Sequence, residues 1–339
     1  MQAFIVTKPG ETRLGDKPVP SPGPDEVLLQ TRLVGMCGTD LSTFRGKNPL
    51  VSYPRVPGHE IAATIAQAGA NVPPEFRPGM NVTCSPYTAC GECASCKRGR
   101  PNACKLNQTL GVQREGAMAE YFVLSWRKLY VAEGLSLREL ALVEPLSVGF
   151  HAAARGRVSV GDTVVVLGCG GVGLGAISAA AFRGARVIAV DLDDGKLDIA
   201  REAGASVLID TGRQSVHEEL EKLTGGLGPD VIIEAIGTPD TFRLAVDEVA
   251  YTGRVVYIGY AKEPVSYETR LFLLKELDIL GSRNALDEFP AVIEMLRQGR
   301  FPVDRVVSKT VPMAEAGEAL RAWSDNPGLF TKIQVEISH

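Results

Sequence analysis

The thirty residues from Asp162 to Asp191 constrain the fold of this chain more than any other stretch. They read Thr163-Val-Val-Val-Leu167, then Gly168-Cys169-Gly170-Gly171-Val172-Gly173, a run of small residues through Ala181, and Arg186-Val-Ile-Ala-Val190-Asp191. An apolar run of strand type, a glycine turn, a helix and a second apolar run ending on an acid make a βαβ unit suited to a dinucleotide. Gly168 permits the tight turn, Gly170 lets backbone amides approach a pyrophosphate, and Gly173 lets the helix pack on its strand. The N-terminus of that helix turns its partial positive charge toward the phosphates. A lone glycine pattern of this kind is a weak signal. Asp191, 18 residues after Gly173, strengthens it, because a carboxylate there accepts hydrogen bonds from the adenosine ribose and repels a 2′-phosphate, favouring NAD over NADP. The window from Thr163 to Phe182 carries no charge and could pass for a membrane span by hydropathy, but its five glycines and mid-chain position argue against that.

Around this unit the chain changes character. Residues 1 to about 145 hold short apolar runs between Pro and Gly clusters, such as Glu26 to Val34 and Tyr121 to Leu124, which predicts a mostly β lobe. From about 160 to 283, apolar runs at 164–167, 187–190, 207–209, 231–233, 255–258 and 279–280 alternate with helical patterns, as in an α/β doubly wound parallel sheet. Asp193 or Asp194 can cap the helix ending near Gly204, and Thr238-Pro239 reads as an N-cap followed by Pro at the first helical position. Further helical patterns fall at Phe289 to Gln298 and Ala314 to Ser324. The final alternating run, Lys332 to Ile337, predicts a strand returning to the first lobe.

With 339 residues there is length for about two domains. A net charge of −4 gives no attraction to phosphate backbones or anionic lipid, which disfavours nucleic acid and membrane as partners. The first residues, Met1 to Pro9, lack a signal-peptide core, so a cytoplasmic location is the expectation.

Four of the seven cysteines fall within 15 residues: Cys90, Cys93, Cys96 and Cys104. Four thiolates at this spacing can surround one ion tetrahedrally with no open position, the arrangement of a structural zinc. A second set is dispersed: Cys37-Gly-Thr39-Asp40, Gly58-His59-Glu60 and Glu144-Pro145. Taken singly these residues are unremarkable. Together, Cys, His and Glu would bind a zinc with room for water or substrate, and Asp40 could orient His59 from behind.

In order and spacing, these residues resemble the zinc-containing medium-chain alcohol dehydrogenases. Glu144, where simple alcohol dehydrogenases have Cys, places the resemblance in the branch of sorbitol, threonine and sugar-acid dehydrogenases. Tyr53-Pro-Arg-Val-Pro-Gly-His59 and Gly281-Ser-Arg-Asn-Ala285 are similar to enzymes of galactonate-like acids. The resemblance implies a GroES-like β-barrel catalytic domain at 1–147 and 286–339, with a structural zinc loop at about 84–106, and a Rossmann domain at 148–285. It implies two zinc ions per chain, NAD, and a homodimer or homotetramer. Cys37, His59, Glu60 and Glu144 would serve the catalytic zinc, Glu60 in some states and Glu144 directly or through water, while Thr39 would accept the substrate proton. Gly168, Gly170, Gly171, Val172, Gly173, Asp191, Ile236, Gly237, Ile258, Gly259, Ser282 and Arg283 would contact the cofactor. One departure is Ser42, where the branch usually has a His that passes the proton to solvent. The implied reaction interconverts a secondary alcohol of a polyol or sugar acid and its ketone, with a threonine dehydrogenase or a non-catalytic zinc-stabilised NAD-binding protein as alternatives. Arg45, Arg114 and Arg283 are candidate partners for a sugar-acid carboxylate.

Overall fold

The computed structural model describes residues 1–338, which divide into two compact units, 1–144 with 303–338, and 145–302. The first contains a seven-stranded sheet. Its spatial order is Val307–Pro312, Lys332–Glu336, Glu26–Met36, Glu60–Ala68, Asn81–Cys84 and Leu129–Val131, with Tyr121–Ser125 also paired to Glu26–Met36. The predicted C-terminal strand is the Lys332–Glu336 strand. It runs antiparallel to Glu26–Met36 with Ile333 opposite Met36, and Val335 opposite Val34. Alternation drives this pairing, since Ile333, Val335 and Val34 are buried in the core with Ile61, Ile65 and Val82.

The second unit is a six-stranded parallel sheet in the order Val207–Asp210, Arg186–Asp191, Thr163–Leu167, Val231–Glu234, Arg254–Tyr257 and Asp278–Gly281. Numbered along the chain this is 3-2-1-4-5-6, with the order reversing between Thr163–Leu167 and Val231–Glu234. The central strands are near-continuous Val and Ile because helices cover both faces of such a sheet. The uncharged window from Thr163 to Phe182 is a strand and a separate helix, Gly171–Phe182. Among the described residues no helix is long and apolar enough to cross a membrane.

Helix punctuation follows the sequence. Asp193 Oδ1 accepts the Lys196 N–H at 3.0 Å at the start of the Asp194–Glu202 helix, and Thr238 caps the Pro239–Glu248 helix. The unit boundaries differ from those expected. The first falls at Glu144/Pro145 because the Val143–Arg155 helix lies against the glycine helix so closely that a Cβ on Gly149 would stand 2.2 Å from Ala176 N. The second falls at Pro302/Val303 rather than at 286. Glu288 Oε1 lies 2.7 Å from His151 Nδ1, which keeps residues 286–302 with the parallel sheet.

Gly168 has φ +97°, a conformation that L side chains rarely adopt, and a Cβ on Gly173 would stand 1.9 Å from the Gly168 carbonyl oxygen. The strand and helix of the βαβ unit therefore meet backbone to backbone. Gly173→Ala should cost about 1–3 kcal/mol through overpacking, read as a lowered midpoint in urea denaturation.

Candidate metal centres and dinucleotide site

The dispersed set converges within the first unit. Ligand atoms of Cys37, His59 and Glu60 all lie within 4.8 Å of one another. Cys37 ends the Glu26–Met36 strand as the residue before the Gly38–Phe44 helix, and His59 immediately precedes the Glu60–Ala68 strand paired to it. Adjacent strands thus deliver both residues to one end of the sheet. Asp40 ties the two loops together: its Oδ2 accepts the Cys37 N–H at 2.9 Å and its Oδ1 the Gly58 N–H at 3.3 Å. Asp40 shapes the backbone on either side of the histidine and reaches the ring as charge. His59 Nδ1 is buried with no hydrogen-bond partner among the described residues. Burial lowers the affinity of the imidazole for protons, but Cys37, Asp40 and Glu144 outweigh it and hold the pKa well above its usual value. A buried, unpartnered ring nitrogen amid thiol and carboxylate groups is a donor set that fits a divalent cation.

Both Glu60 oxygens accept from the Lys332 ammonium, at 2.6 and 2.7 Å, and Lys332 also donates to the Met36 carbonyl at 3.2 Å. The pair is buried: Lys332 is 6% exposed and Glu60 1%. Gly35, opposite Glu60 in the sheet, makes room for the carboxylate, since a Cβ there would stand 2.0 Å from Glu60 Oε2. Glu144 does not join the tight set. Its Oε1 accepts the hydroxyl of Tyr87, whose phenol is held protonated by burial and by the Glu144 charge. Thr39 Oγ1 lies 3.7 Å from Cys37 Sγ.

Sequence reasoning missed Lys332 and Tyr87. A lysine heading an otherwise apolar alternating run was the available signal for the first, and the second had none. Of the three arginines, Arg45 donates to Ser324 Oγ at 3.0 Å and Arg114 to Thr88 Oγ1 at 2.9 Å, while Arg283 is exposed.

The four close-set cysteines gather in the same unit. Their sulfurs stand 3.5 Å apart for Cys93 and Cys96, 3.8 Å for Cys93 and Cys104, and 3.5 Å for Cys90 and Cys104. A tetrahedron with zinc–sulfur bonds of about 2.3 Å has edges of about 3.8 Å, so the sulfurs are spaced for one ion. Backbone N–H groups of Cys93 and Leu106 point at Cys90 and Cys104 sulfurs at 3.4 and 3.3 Å. Ser95 Oγ lies 3.1 Å from Cys93 Sγ, and this contact, with backbone amides, brings the Cys93 thiol down to about 5. Such donors favour thiolates, the form that binds metal.

In the second unit the expected cofactor residues line the carboxyl edge of the parallel sheet. Gly168, Gly170, Gly171, Val172 and Gly173 follow Thr163–Leu167, and Asp191 ends its strand. Ile236 and Gly237 follow Val231–Glu234, Ile258 and Gly259 follow Arg254–Tyr257, and Ser282 and Arg283 follow Asp278–Gly281. Asp191 Oδ2 accepts the Cys169 N–H at 2.8 Å and Oδ1 accepts from Leu192 at 2.8 Å and Asp193 at 3.2 Å, leaving a lone pair on Oδ2 for a ligand. Nothing stands within 4 Å of a Cβ built on Gly170, so the helix N-terminus opens onto space.

Two family descriptions match the chain: an alcohol dehydrogenase GroES-like domain over residues 23–133 and a zinc-binding dehydrogenase over residues 171–298. L-galactonate-5-dehydrogenase of Escherichia coli is 31% identical over 94% of this chain and 94% of its own, and sorbitol dehydrogenase of Bacillus subtilis is 32% identical over 94% and 92%. The chain belongs to the zinc-binding, GroES-like alcohol dehydrogenases. The solved structure of an Escherichia coli alcohol dehydrogenase, RspB, in complex with NADH superposes with a TM-score of 0.91 at 28% identity, covering 99% of both chains.

In such a dehydrogenase, a buried pair like Glu60–Lys332 cannot lose one partner cheaply. Lys332→Met leaves the Glu60 charge uncompensated and should lower stability by about 3–5 kcal/mol. Denaturant titration of Lys332→Met, Glu60→Gln and the double variant checks this, and the double variant should recover part of the loss.

Proposed function

We propose that this chain is an NAD-dependent zinc enzyme interconverting a secondary alcohol of a polyol or sugar acid and the corresponding ketone. The observation that carries the reading is the buried convergence of Cys37, His59 and Glu60, with His59 Nδ1 unpartnered. Cys37 and His59 would hold the catalytic zinc, and Cys90, Cys93, Cys96 and Cys104 the structural one. A zinc ion in the first site supplies Lewis acidity, lowering the pKa of a nearby hydroxyl as it brings water to about 7. The protein's share is orientation and proton management. Thr39, beside Cys37, would take the hydroxyl proton. Lys332 holds both Glu60 oxygens and Tyr87 occupies one oxygen of Glu144, so both acids approach the site in fixed orientations.

NAD supplies the hydride acceptor. The amides from Gly168 to Gly173 and the helix N-terminus would bind its pyrophosphate, and Asp191 its adenosine ribose. Ile236, Gly237, Ile258, Gly259, Ser282 and Arg283 would hold its other half. The sugar-acid and polyol classes are both supported by relatives' names, L-galactonate-5-dehydrogenase and sorbitol dehydrogenase. A cytoplasmic setting accords with seven free cysteines.

A homodimer or homotetramer is also part of the proposal. The Asp278–Gly281 strand lies at the edge of the parallel sheet with Ile279 40% exposed, and Leu273 on the preceding Arg270–Leu274 helix is 79% exposed. An open strand edge flanked by apolar side chains is a surface that a second copy can cover. Ile279→Lys should shift the protein toward monomer in sedimentation velocity, and an unchanged distribution would place the interface elsewhere.

The decisive assay is NADH formation on polyols, sugar acids such as galactonate and gulonate, and threonine, with and without a chelator. Chelator-sensitive turnover on polyols or acids is expected. Cys37→Ser should abolish it while leaving NADH affinity within about twofold, since the thiol would hold the zinc and not the dinucleotide. Retained turnover in Cys37→Ser would sink the catalytic-zinc assignment.

A further inference from the structure

Glu234 has no place in the chemistry so far, yet it is fully buried at the carboxyl end of the Val231–Glu234 strand, beside the reversal of strand order. Its side chain and its backbone act on two different loops. Oε1 accepts the Ile236 N–H at 2.8 Å, the Gly237 N–H at 2.7 Å and the Thr241 hydroxyl at 2.8 Å. Its carbonyl accepts the N–H groups of Ile258 and Gly259, at 2.9 and 3.0 Å. The loops themselves touch at backbone distance. A Cβ on Gly259 would stand 2.2 Å from Glu234 Oε2 and 2.5 Å from Gly237 N, and one on Gly237 would stand 2.7 Å from Tyr260 N. Glu234 Oε2 is buried with no hydrogen-bond partner among the described residues. The carboxylate is thus held in place for what its other oxygen organises.

The position of these loops follows from the sheet. Dinucleotides lie across the point where strand order reverses. With the adenosine ribose at Asp191 and the pyrophosphate at Gly168–Gly173, the remaining half must extend over the Val231–Glu234 and Arg254–Tyr257 strands. Residues 236–237 and 258–259 lie just past those two strand ends.

We propose that Glu234 is a positioning residue for the nicotinamide half of the dinucleotide, joining the 236–237 and 258–259 loops into one preorganised frame. This rests on the reading of the parallel-sheet unit as an NAD site. Loops set before binding lose less conformational freedom when the ligand arrives, so removing the joint weakens affinity for the half they hold and spares the other half.

The test compares NADH with ADP, which carries the adenosine and pyrophosphate but neither nicotinamide nor its ribose, by calorimetry on the full-length zinc-loaded protein. Glu234→Ala should weaken NADH about tenfold or more and ADP by less than about twofold. Glu234→Gln keeps an acceptor oxygen for the Ile236 and Gly237 amides and should restore NADH binding to within about threefold of the parent. Glu234→Asp, one methylene shorter, should behave like the alanine variant and stands in for it if that chain does not fold. Equal losses for NADH and ADP, or unchanged NADH binding in both the alanine and aspartate variants, would overturn the assignment. A parent protein that binds neither ligand would instead overturn the NAD reading on which it rests.

Discussion

The ion pair of Glu60 and Lys332 is the contact on which the metal-binding unit depends. Two charges taken out of water are tolerable only when fully paired, and here the ammonium spans both carboxylate oxygens and a backbone carbonyl. The partners are 272 residues apart. Their meeting requires the C-terminal strand to lie against Glu26–Met36 in one register, because a slip of one residue would turn Lys332 to the opposite face. That register also sets Ile333 opposite Met36, one residue before Cys37. The last strand of the chain therefore anchors the loop that carries the thiol.

Asp40 performs a related task over a shorter distance. By accepting amides from Cys37 and Gly58 it locks two loops whose side chains must point at one another. Around His59 gather four potential anions, Cys37, Asp40, Glu60 and Glu144, with Lys332 bound to Glu60 and the histidine's own affinity for protons raised. An interior with such an excess of potential anions is electrostatically prepared for a cation. In the parallel-sheet unit the corresponding economy is backbone contact. Gly168 and Gly173 let strand and helix meet without side chains between them, and Asp191 and Glu234, the acids ending two strands of that sheet, use their carboxylates to hold nearby amides.

Much of this was legible in the residues. The glycine turn with its distal acid, the alternation of apolar runs and helical patterns, and the four-cysteine spacing are local patterns, each completed within about thirty residues, so periodicity and ligand chemistry suffice to read them. The dispersed Cys37, His59 and Glu60 were legible as possible zinc donors by their chemistry, but their joining in one site rested on resemblance, since no local rule joins residues on separate strands. The boundary expected near 286 differs from the division into compact units for a comparable reason. His151 and Glu288 pair across 137 residues, and nothing in the local pattern of the Phe289–Arg297 helix announces which sheet it will cover.

What the sequence by itself determined is the set of elements and their chemistry: a parallel sheet with a dinucleotide turn, a β lobe, thiols at metal-binding spacing, and acids of the kind that suit zinc. Only the tertiary structure decided how the acids are used. Glu60 is held by Lys332, Glu144 by Tyr87 and Glu234 by two loop amides and a threonine hydroxyl, so three similar carboxylates acquire three different roles. The physical reason is that a buried carboxylate is defined by its hydrogen-bond donors, and for Glu60 and Glu144 those donors come from strands far away in the chain.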